Sequence, residues 1–310
     1  MRLQTTIVRP IHFSGVGLHT GLMSNVTIKP APDNFGIQFC RTDINPTLFI
    51  PAKVENVSNT NRSTTIKLQE SEVVTVEHLL SALYAMGIDN ALVEIDNKEV
   101  PILDGSAKFY IDRLIDDNII ELSHYKKYFT IQDVVEWKDE QTGAEYIFLP
   151  HEEFSVTCLI DFPSKIIKHQ YAVLNDIREY AEEIAIAKTF CFLHEIEYLY
   201  NNGLIKGGNL NNALVFSETA LSKEKIDWLA HTFHHAANSI PEMGILNPLY
   251  QTFDNEAARH KILDVIGDLA LTQTHFKGKL IAYKPGHTSN TRFARYLMEN
   301  FVLTAVEHSF

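Results

Sequence analysis

The stretch Arg259–Leu269 reads RHKILDVIGDL. His260, Asp264 and Asp268 recur at i, i+4 and i+8, which stacks them as one polar stripe along a helix. Ile262, Leu263, Ile266 and Leu269 fall largely on the other side and form a face for a core. A histidine and a carboxylate one turn apart can both reach a single cation, because imidazole and carboxylate are common zinc ligands. Taken alone, the segment has a plainer reading: a solvated helix face with an exposed His260–Asp264 pair. Under either reading a helix is expected from about Glu256 to Leu271, with a strand at Lys279–Tyr283. That strand ends in a Pro285-Gly286 turn that presents His287. A histidine held there can titrate near neutral pH and protonate a leaving amine, an ordinary loop histidine being the alternative.

A second helix-then-strand unit lies in the first half. TVEHLLSALYAMGIDN predicts a helix at roughly Thr75–Met86, with Thr75 placed to cap it and Val76, Leu79, Leu80 and Leu83 packed inward. Glu77 and His78 are adjacent in its first turn. A glutamate beside a metal-binding histidine can act as a general base; the alternative is a first-turn acid favoured by the helix dipole. A strand at Ala91–Ile95, a turn at Asp104-Gly105 and a helix through Ala107–Ile115 follow. Strands are expected earlier at Met23–Ile28 and Gly36–Arg41, and later at Tyr128–Trp137 and Phe154–Asp161, with a helix at Ile184–Tyr200. Both halves thus read as strands followed by helices. This predicts an α+β fold of two similar domains, each a β-sheet layered against helices, and suggests a duplicated unit. The polar stretch Ser123–Lys127 sets the expected boundary, giving domains 1–124 and 125–310.

Composition narrows the function. The chain of 310 residues is 45% hydrophobic and 21% charged, the balance of a soluble globular protein. A formal net charge of -12 disfavours a nucleic-acid partner. Neither an apolar run of about 18 residues nor a secretory leader is evident, so no stable membrane insertion is expected. Cys40, Cys158 and Cys191 are widely spaced and form no CxxC pair, which argues against a disulfide scaffold or a thiolate cage and fits a reducing cytoplasm. HEIEY at His194–Tyr198 lacks the second histidine of a zincin helix. GGNLNN lacks the GK[ST] ending of a phosphate loop. His231 and His235 in HTFHH have i, i+4 spacing; a solvated helix face is the favoured reading over a second metal site.

The motifs SGVGLHTG (Ser14–Gly21), TVEHLLSAL (Thr75–Leu83), PILDGSA (Pro101–Ala107), KTF (Lys188–Phe190), GGNLNNALV (Gly207–Val215), HKILDVIGDL (His260–Leu269) and KPGH (Lys284–His287) occur in one order. In that order the chain resembles the UDP-3-O-acyl-N-acetylglucosamine deacetylases over nearly its full length. The resemblance implies two α+β domains with the site between them, and one Zn2+ per chain (Fe2+ being possible) held by His78, His260 and Asp264. It implies Glu77 as general base, His287 as the protonated residue that serves the leaving amine, Asp268 orienting His287, and Thr189 as oxyanion stabiliser. Asp104 is implied as a support behind the ligands, an ordinary Asp-Gly turn being the alternative. Lys261 is expected to point away from the metal stripe toward substrate. Phe162 is expected to pack on the uracil, with a core position as its alternative. Leu18, Phe190 and Phe192 are implied to flank a passage for the acyl chain, though such residues also serve as plain core. The expected partner is an acylated UDP-sugar, the reaction the committed step of lipid A synthesis, and the state a cytoplasmic monomer. The segment Ser217–Asp254 is longer than in shorter family members. Cys191 stands where Gly or Ala is expected, which bears on the shape of the acyl passage. Some relatives carry a fused second enzyme, for which 310 residues leave little room.

Overall fold

A computed structural model of the chain describes residues 2–114, 118–233 and 235–301. The first half runs β1 (Leu3–Ile7), β2 (Ile11–Val16), β3 (Met23–Pro30), β4 (Ile37–Arg41), β5 (Phe49–Pro51), β6 (Val57–Asn59), β7 (Thr65–Leu68), β8 (Ser71–Val73), α1 (Glu77–Ala85), β9 (Ala91–Ile95), α2 (Lys108–Leu114) and β10 (Ile119–Tyr125). The second runs β11 (Tyr128–Thr130), β12 (Val135–Lys138), β13 (Glu145–Leu149), β14 (Phe154–Asp161), β15 (His169–Leu174), α3 (Tyr180–Glu183), β16 (Phe190–Phe192), α4 (Leu193–Asn201), β17 (Leu214–Ser217), α5 (Lys223–Thr232), β18 (Gly244–Ile245), α6 (Glu256–Leu269), β19 (His275–Tyr283) and α7 (His287–Asn300).

The two main sheets share one topology. Strand order is β2-β3-β9-β4-β5 in the first half and β12-β13-β19-β14-β15 in the second, with β11 added alongside β19. In each, the central strand (β9 or β19) pairs antiparallel on one side and parallel on the other. In each, one helix precedes that strand (α1 or α6) and one follows it (α2 or α7). The fold is therefore α+β with two similar halves, as the element order predicts. Period-two burial places one face of each sheet on the core: β3 alternates Ser24, Val26 and Ile28 inward, and β19 alternates Phe276, Gly278, Leu280 and Ala282. Apolar contacts run through both halves as one cluster, with α1 and α6 back to back at its centre.

That central contact has a specific cause. A Cβ on Gly267 would stand 2.2 Å from the carbonyl oxygen of Glu77, so only glycine lets α6 come this close to the first turn of α1. Each half also carries a small added sheet between its fourth main strand (β5 or β15) and the helix before its central strand (α1 or α6): β6-β7-β8 in one and β16-β17-β18 in the other. Both additions flank the seam between α1 and α6.

Several local expectations give way to tertiary structure. Ile184–Tyr200 is not one helix: Phe190–Phe192 extend to pair in parallel with Leu214–Phe216, and α4 begins only at Leu193. The apolar run suited either element, and a strand partner more than 20 residues away decided it. Tyr128–Trp137 is two strands, β11 and β12, in different positions of the sheet. Thr75 does not cap α1. The helix starts after Val76 without a side-chain cap, and Thr75 (φ 60°) donates its hydroxyl to Glu99. Ile115, the expected end of α2, lies outside the described residues. Among the described residues, no helix is long and apolar enough to cross a membrane.

Candidate active site

Three elements bring the chemistry together. α1 supplies Glu77 and His78, α6 supplies His260, Asp264 and Asp268, and His287 opens α7 at the end of the KPGH turn. All of the first five are buried, so the stripe on α6 is not the solvated face that spacing alone allows. Ligand atoms of His78, His260 and Asp264 all lie within 4.8 Å of one another, and the two imidazole rings meet edge to face at 5.0 Å. Among the described residues no other His, Cys, Asp and Glu group converges in this way.

The donor set fits a metal ion. The ring nitrogen Nδ1 of His260 is 3.0 Å from the Ala187 carbonyl, which makes it the donor and leaves Nε2 bare. Burial lowers the pKa of both ligand histidines, His78 to about 3, so both are neutral and ready to ligate. Asp264 stays ionised: burial opposes its charge, but the Lys261 ammonium beside it holds the carboxyl well below the usual range. Its Oδ1 is buried without a hydrogen-bond partner. Such an orphaned anionic oxygen is unfavourable unless a cation meets it.

Around the ligands stand two groups with opposite proton affinities. Burial, reinforced by Asp268 and Asp264, raises Glu77 to about 7, and the Thr64 backbone N–H donates to its Oε2 at 3.0 Å. His287 Nε2 is 4.0 Å from Glu77 Oε1. Burial pulls the His287 pKa down, yet Asp268 and Asp264 outweigh it and raise it to about 9. Nδ1 of His287 meets Asp268 Oδ2 at 3.0 Å; that carboxylate also accepts from Asn290 Nδ2 at 2.8 Å and from the Thr64 hydroxyl at 2.5 Å. Sequence reasoning missed Thr64, which is fully buried and touches both Glu77 and Asp268; no local pattern marks it. It missed Glu256 too, whose carboxylate accepts from the Lys188 N–H at 2.9 Å and so anchors the KTF loop.

A chamber of about 380 Å³ opens onto these groups and is lined as well by Leu18, Thr189, Phe162, Phe190, Phe192 and Lys261. A narrower, mostly apolar cavity of about 90 Å³ adjoins it, lined by Ile196, Leu199, Ile205, Leu210, Val215 and Phe233. Leu18, Thr189, Phe190 and Cys191 border both, whereas Phe192 borders only the chamber. Phe162 meets Phe190 and Phe192 edge to face at 5.6 Å each. Thr189 is fixed by its backbone, its N–H on the Gly105 carbonyl and its carbonyl receiving the Leu214 N–H, both at 2.8 Å. Asp104 bonds Ser106 in its own turn and pairs with Lys188 at 3.3 Å, so it supports the KTF loop, and its charge also acts on His78.

Two expectations are corrected here. Lys261 does not point away from the metal stripe: its ammonium lies 2.7 Å from Asp264 Oδ2, because an i, i+3 partner stays within reach on a helix. His231 and His235 do not share a helix face, since α5 ends at Thr232 and His235 bonds Ser239 at 2.8 Å.

Two similar α+β halves meeting at a His-His-Asp centre, with a buried carboxylate beside it, define a metalloenzyme. The chain belongs to the LpxC family, UDP-3-O-acyl N-acetylglycosamine deacetylase, whose sequence model matches residues 4–237 and 231–299. It is 42% identical to a protein of Bacteroides thetaiotaomicron named bifunctional enzyme LpxC/FabZ, over 99% of this chain and 67% of the relative. A Porphyromonas gingivalis protein of the same name is 39% identical over 96% and 64%. The UDP-3-O-acyl-N-acetylglucosamine deacetylase of Teredinibacter turnerae is 39% identical over 96% of this chain and 90% of its own length. The chain thus spans about two thirds of the length of the bifunctional relatives, 67% and 64%.

Proposed function

We propose that this chain hydrolyses the N-acetyl group of a UDP-3-O-acyl-N-acetylglucosamine, releasing acetate and the free amine, as the committed step of lipid A synthesis. The observation that carries this reading is the convergence of His78, His260 and Asp264 beside Glu77 and His287. Zn2+, with Fe2+ as the alternative, would be held by those three ligands; when bound it supplies a Lewis acid and a more acidic water.

Glu77, raised by burial but drawn toward the carboxylate form by a cation beside it, takes the proton from the attacking water. Thr189, held by its backbone at the chamber wall, presents its hydroxyl to the oxygen on which negative charge develops. His287 keeps its proton at neutral pH, offsets that charge and passes the proton to the departing nitrogen; Asp268 holds the ring in orientation. Phe162 faces the nucleobase and Lys261 the polar part of the sugar nucleotide. Leu18 and Phe190 lead the acyl chain into the adjoining apolar cavity, while Phe192 packs beside Phe162 in the chamber. We read 1–124 and 125–310 as the two domains, and the enzyme as a cytoplasmic monomer. Because Glu77 and His78 lie in one half and the other ligands in the other, neither half alone is active.

The deciding experiment is deacetylation of UDP-3-O-acyl-N-acetylglucosamine by metal-stripped protein, with and without one equivalent of zinc. Activity that returns with zinc and is lost in Glu77→Gln supports the reaction, metal and base together. Folded, zinc-binding protein with no turnover of this substrate overturns the substrate assignment.

A further inference from the structure

The two oxygens of Asp264 have different surroundings. Oδ2 receives the Lys261 ammonium at 2.7 Å and lies 4.0 Å from His287 Nε2. Oδ1 has no hydrogen-bond partner and lies 3.4 Å from His260 Nε2. Lys261 is itself held in place: its side chain is 17% exposed, and its ammonium stands 5.5 Å from the centre of the Phe190 ring, whose face attracts a cation. The same helix thus carries a ligand histidine, a lysine beside it, and the ligand carboxylate that lysine grips.

We propose that Lys261 is a positioning residue that restricts Asp264 to one-oxygen ligation and weakens it as a donor. This rests on the metal-centre reading given under Proposed function. With Oδ2 engaged by the ammonium, only Oδ1 is left to a metal, and three protein donors leave positions open for water and substrate. An ammonium on the distal oxygen also withdraws charge from the carboxylate, so the metal keeps more of its pull on other ligands. Removing the ammonium therefore has two effects of one sign on binding: the carboxylate regains its full charge, and a cation that repels the metal is lost. Loss of orientation opposes them weakly, because Asp264 is fixed by a buried helix and is itself 1% exposed. The variant should hold metal more tightly and turn over more slowly.

The test uses the full chain as wild type, Lys261→Met and Lys261→Arg, each metal-stripped and each shown folded by its thermal melt. Zinc affinity is read by competition with a chromophoric chelator. The coordination number is read from the visible absorption of the cobalt(II)-substituted protein, which weakens as that number rises. With a like charge removed from beside the metal, Lys261→Met should bind zinc more tightly, on the order of tenfold, and show weaker cobalt absorption, with kcat reduced. Lys261→Arg, which keeps the charge, should keep wild-type affinity and spectrum. If Lys261→Met does not fold, Lys261→Leu, which likewise has no donor for Oδ2, carries the same readings. Unchanged or weaker zinc binding with an unchanged cobalt spectrum overturns the proposal, as does a change confined to KM, which marks a lysine acting on substrate alone. Wild-type protein that binds no zinc overturns the metal centre itself, a result distinct from either.

Discussion

His287 Nδ1 stands 3.0 Å from Asp268 Oδ2, and this pairing reverses what burial alone would do to the imidazole. The ring is held near pKa 9 while Glu77, buried beside it, is held near 7. The proposed mechanism needs Glu77 without its proton and His287 with one, so kcat/KM should form a bell in pH. Its alkaline limb should fall below 9, because a cation held by Asp264 also disfavours the protonated ring. Its acid limb should fall below 7, because a divalent cation next to Glu77 favours the carboxylate. The pH–rate profile of Glu77→Gln and His287→Gln checks the assignment: His287→Gln should be slow and lose the alkaline limb, and an alkaline limb that survives assigns it to another group.

The same shift affects folding. The folded-state pKa of His287 is raised from 6.5 to about 9, so its contribution is fully present below pH 6.5 and is lost as pH rises through 9. The loss is on the order of 3 kcal/mol at most. The raised Glu77 acts in the same direction from pH 4.5 up to about 7. Thermal melts of metal-free protein should therefore decline from pH 6.5 to 9.5, with a shallower decline in His287→Gln. Parallel slopes would count against the Asp268–His287 pairing.

Glu77→Gln keeps the shape and burial of the side chain and the bond from Thr64, but removes the proposed base. The expected loss in kcat is roughly 10²- to 10⁴-fold, with zinc affinity little changed. Measuring both in one preparation separates a base from a ligand, since loss of zinc would point to a ligand.

Gly267→Ala tests how the halves are joined. Its Cβ would stand 2.2 Å from the Glu77 carbonyl oxygen, so α1 and α6 must part. We expect destabilisation of about 1–3 kcal/mol and weaker zinc binding, because His78 moves away from His260 and Asp264. A denaturant melt and a zinc titration report the two effects; wild-type values in both would contradict the close helix contact.

Cys191 borders both the chamber and the apolar cavity, and its thiol is raised to about 12 by burial, so it acts as a small apolar side chain. Cys191→Phe should narrow the junction. KM should rise by about tenfold or more for long-acyl substrates and stay near wild type for a short-acyl analogue. Equal effects on both would place the acyl chain elsewhere.

Much of this site was readable in the sequence because its parts are local patterns. The i, i+4, i+8 stripe on α6 and the adjacent Glu77 and His78 sit on helices whose phase is set by apolar spacing, and the structure keeps that phase. What spacing leaves open is whether a polar stripe faces water or a partner helix. Thr64 gave no signal because its importance lies in two bonds to residues 13 and 204 positions away. Lys261 was read outward because it neighbours His260, yet a flexible side chain one-third of a turn off the stripe still reaches Asp264. The strand at Phe190–Phe192 was read as helix because its partner is not in its window.

The sequence alone determined the helices that carry the donors, the donor chemistry and the order of the motifs, since backbone periodicity and side-chain functional groups are properties of short segments. The tertiary structure decided what the stripe faces, which oxygen of Asp264 is free, and that two halves share one centre. Those outcomes depend on a close approach permitted at Gly267 and on the removal of water from paired charges, and neither exists until the chain has folded.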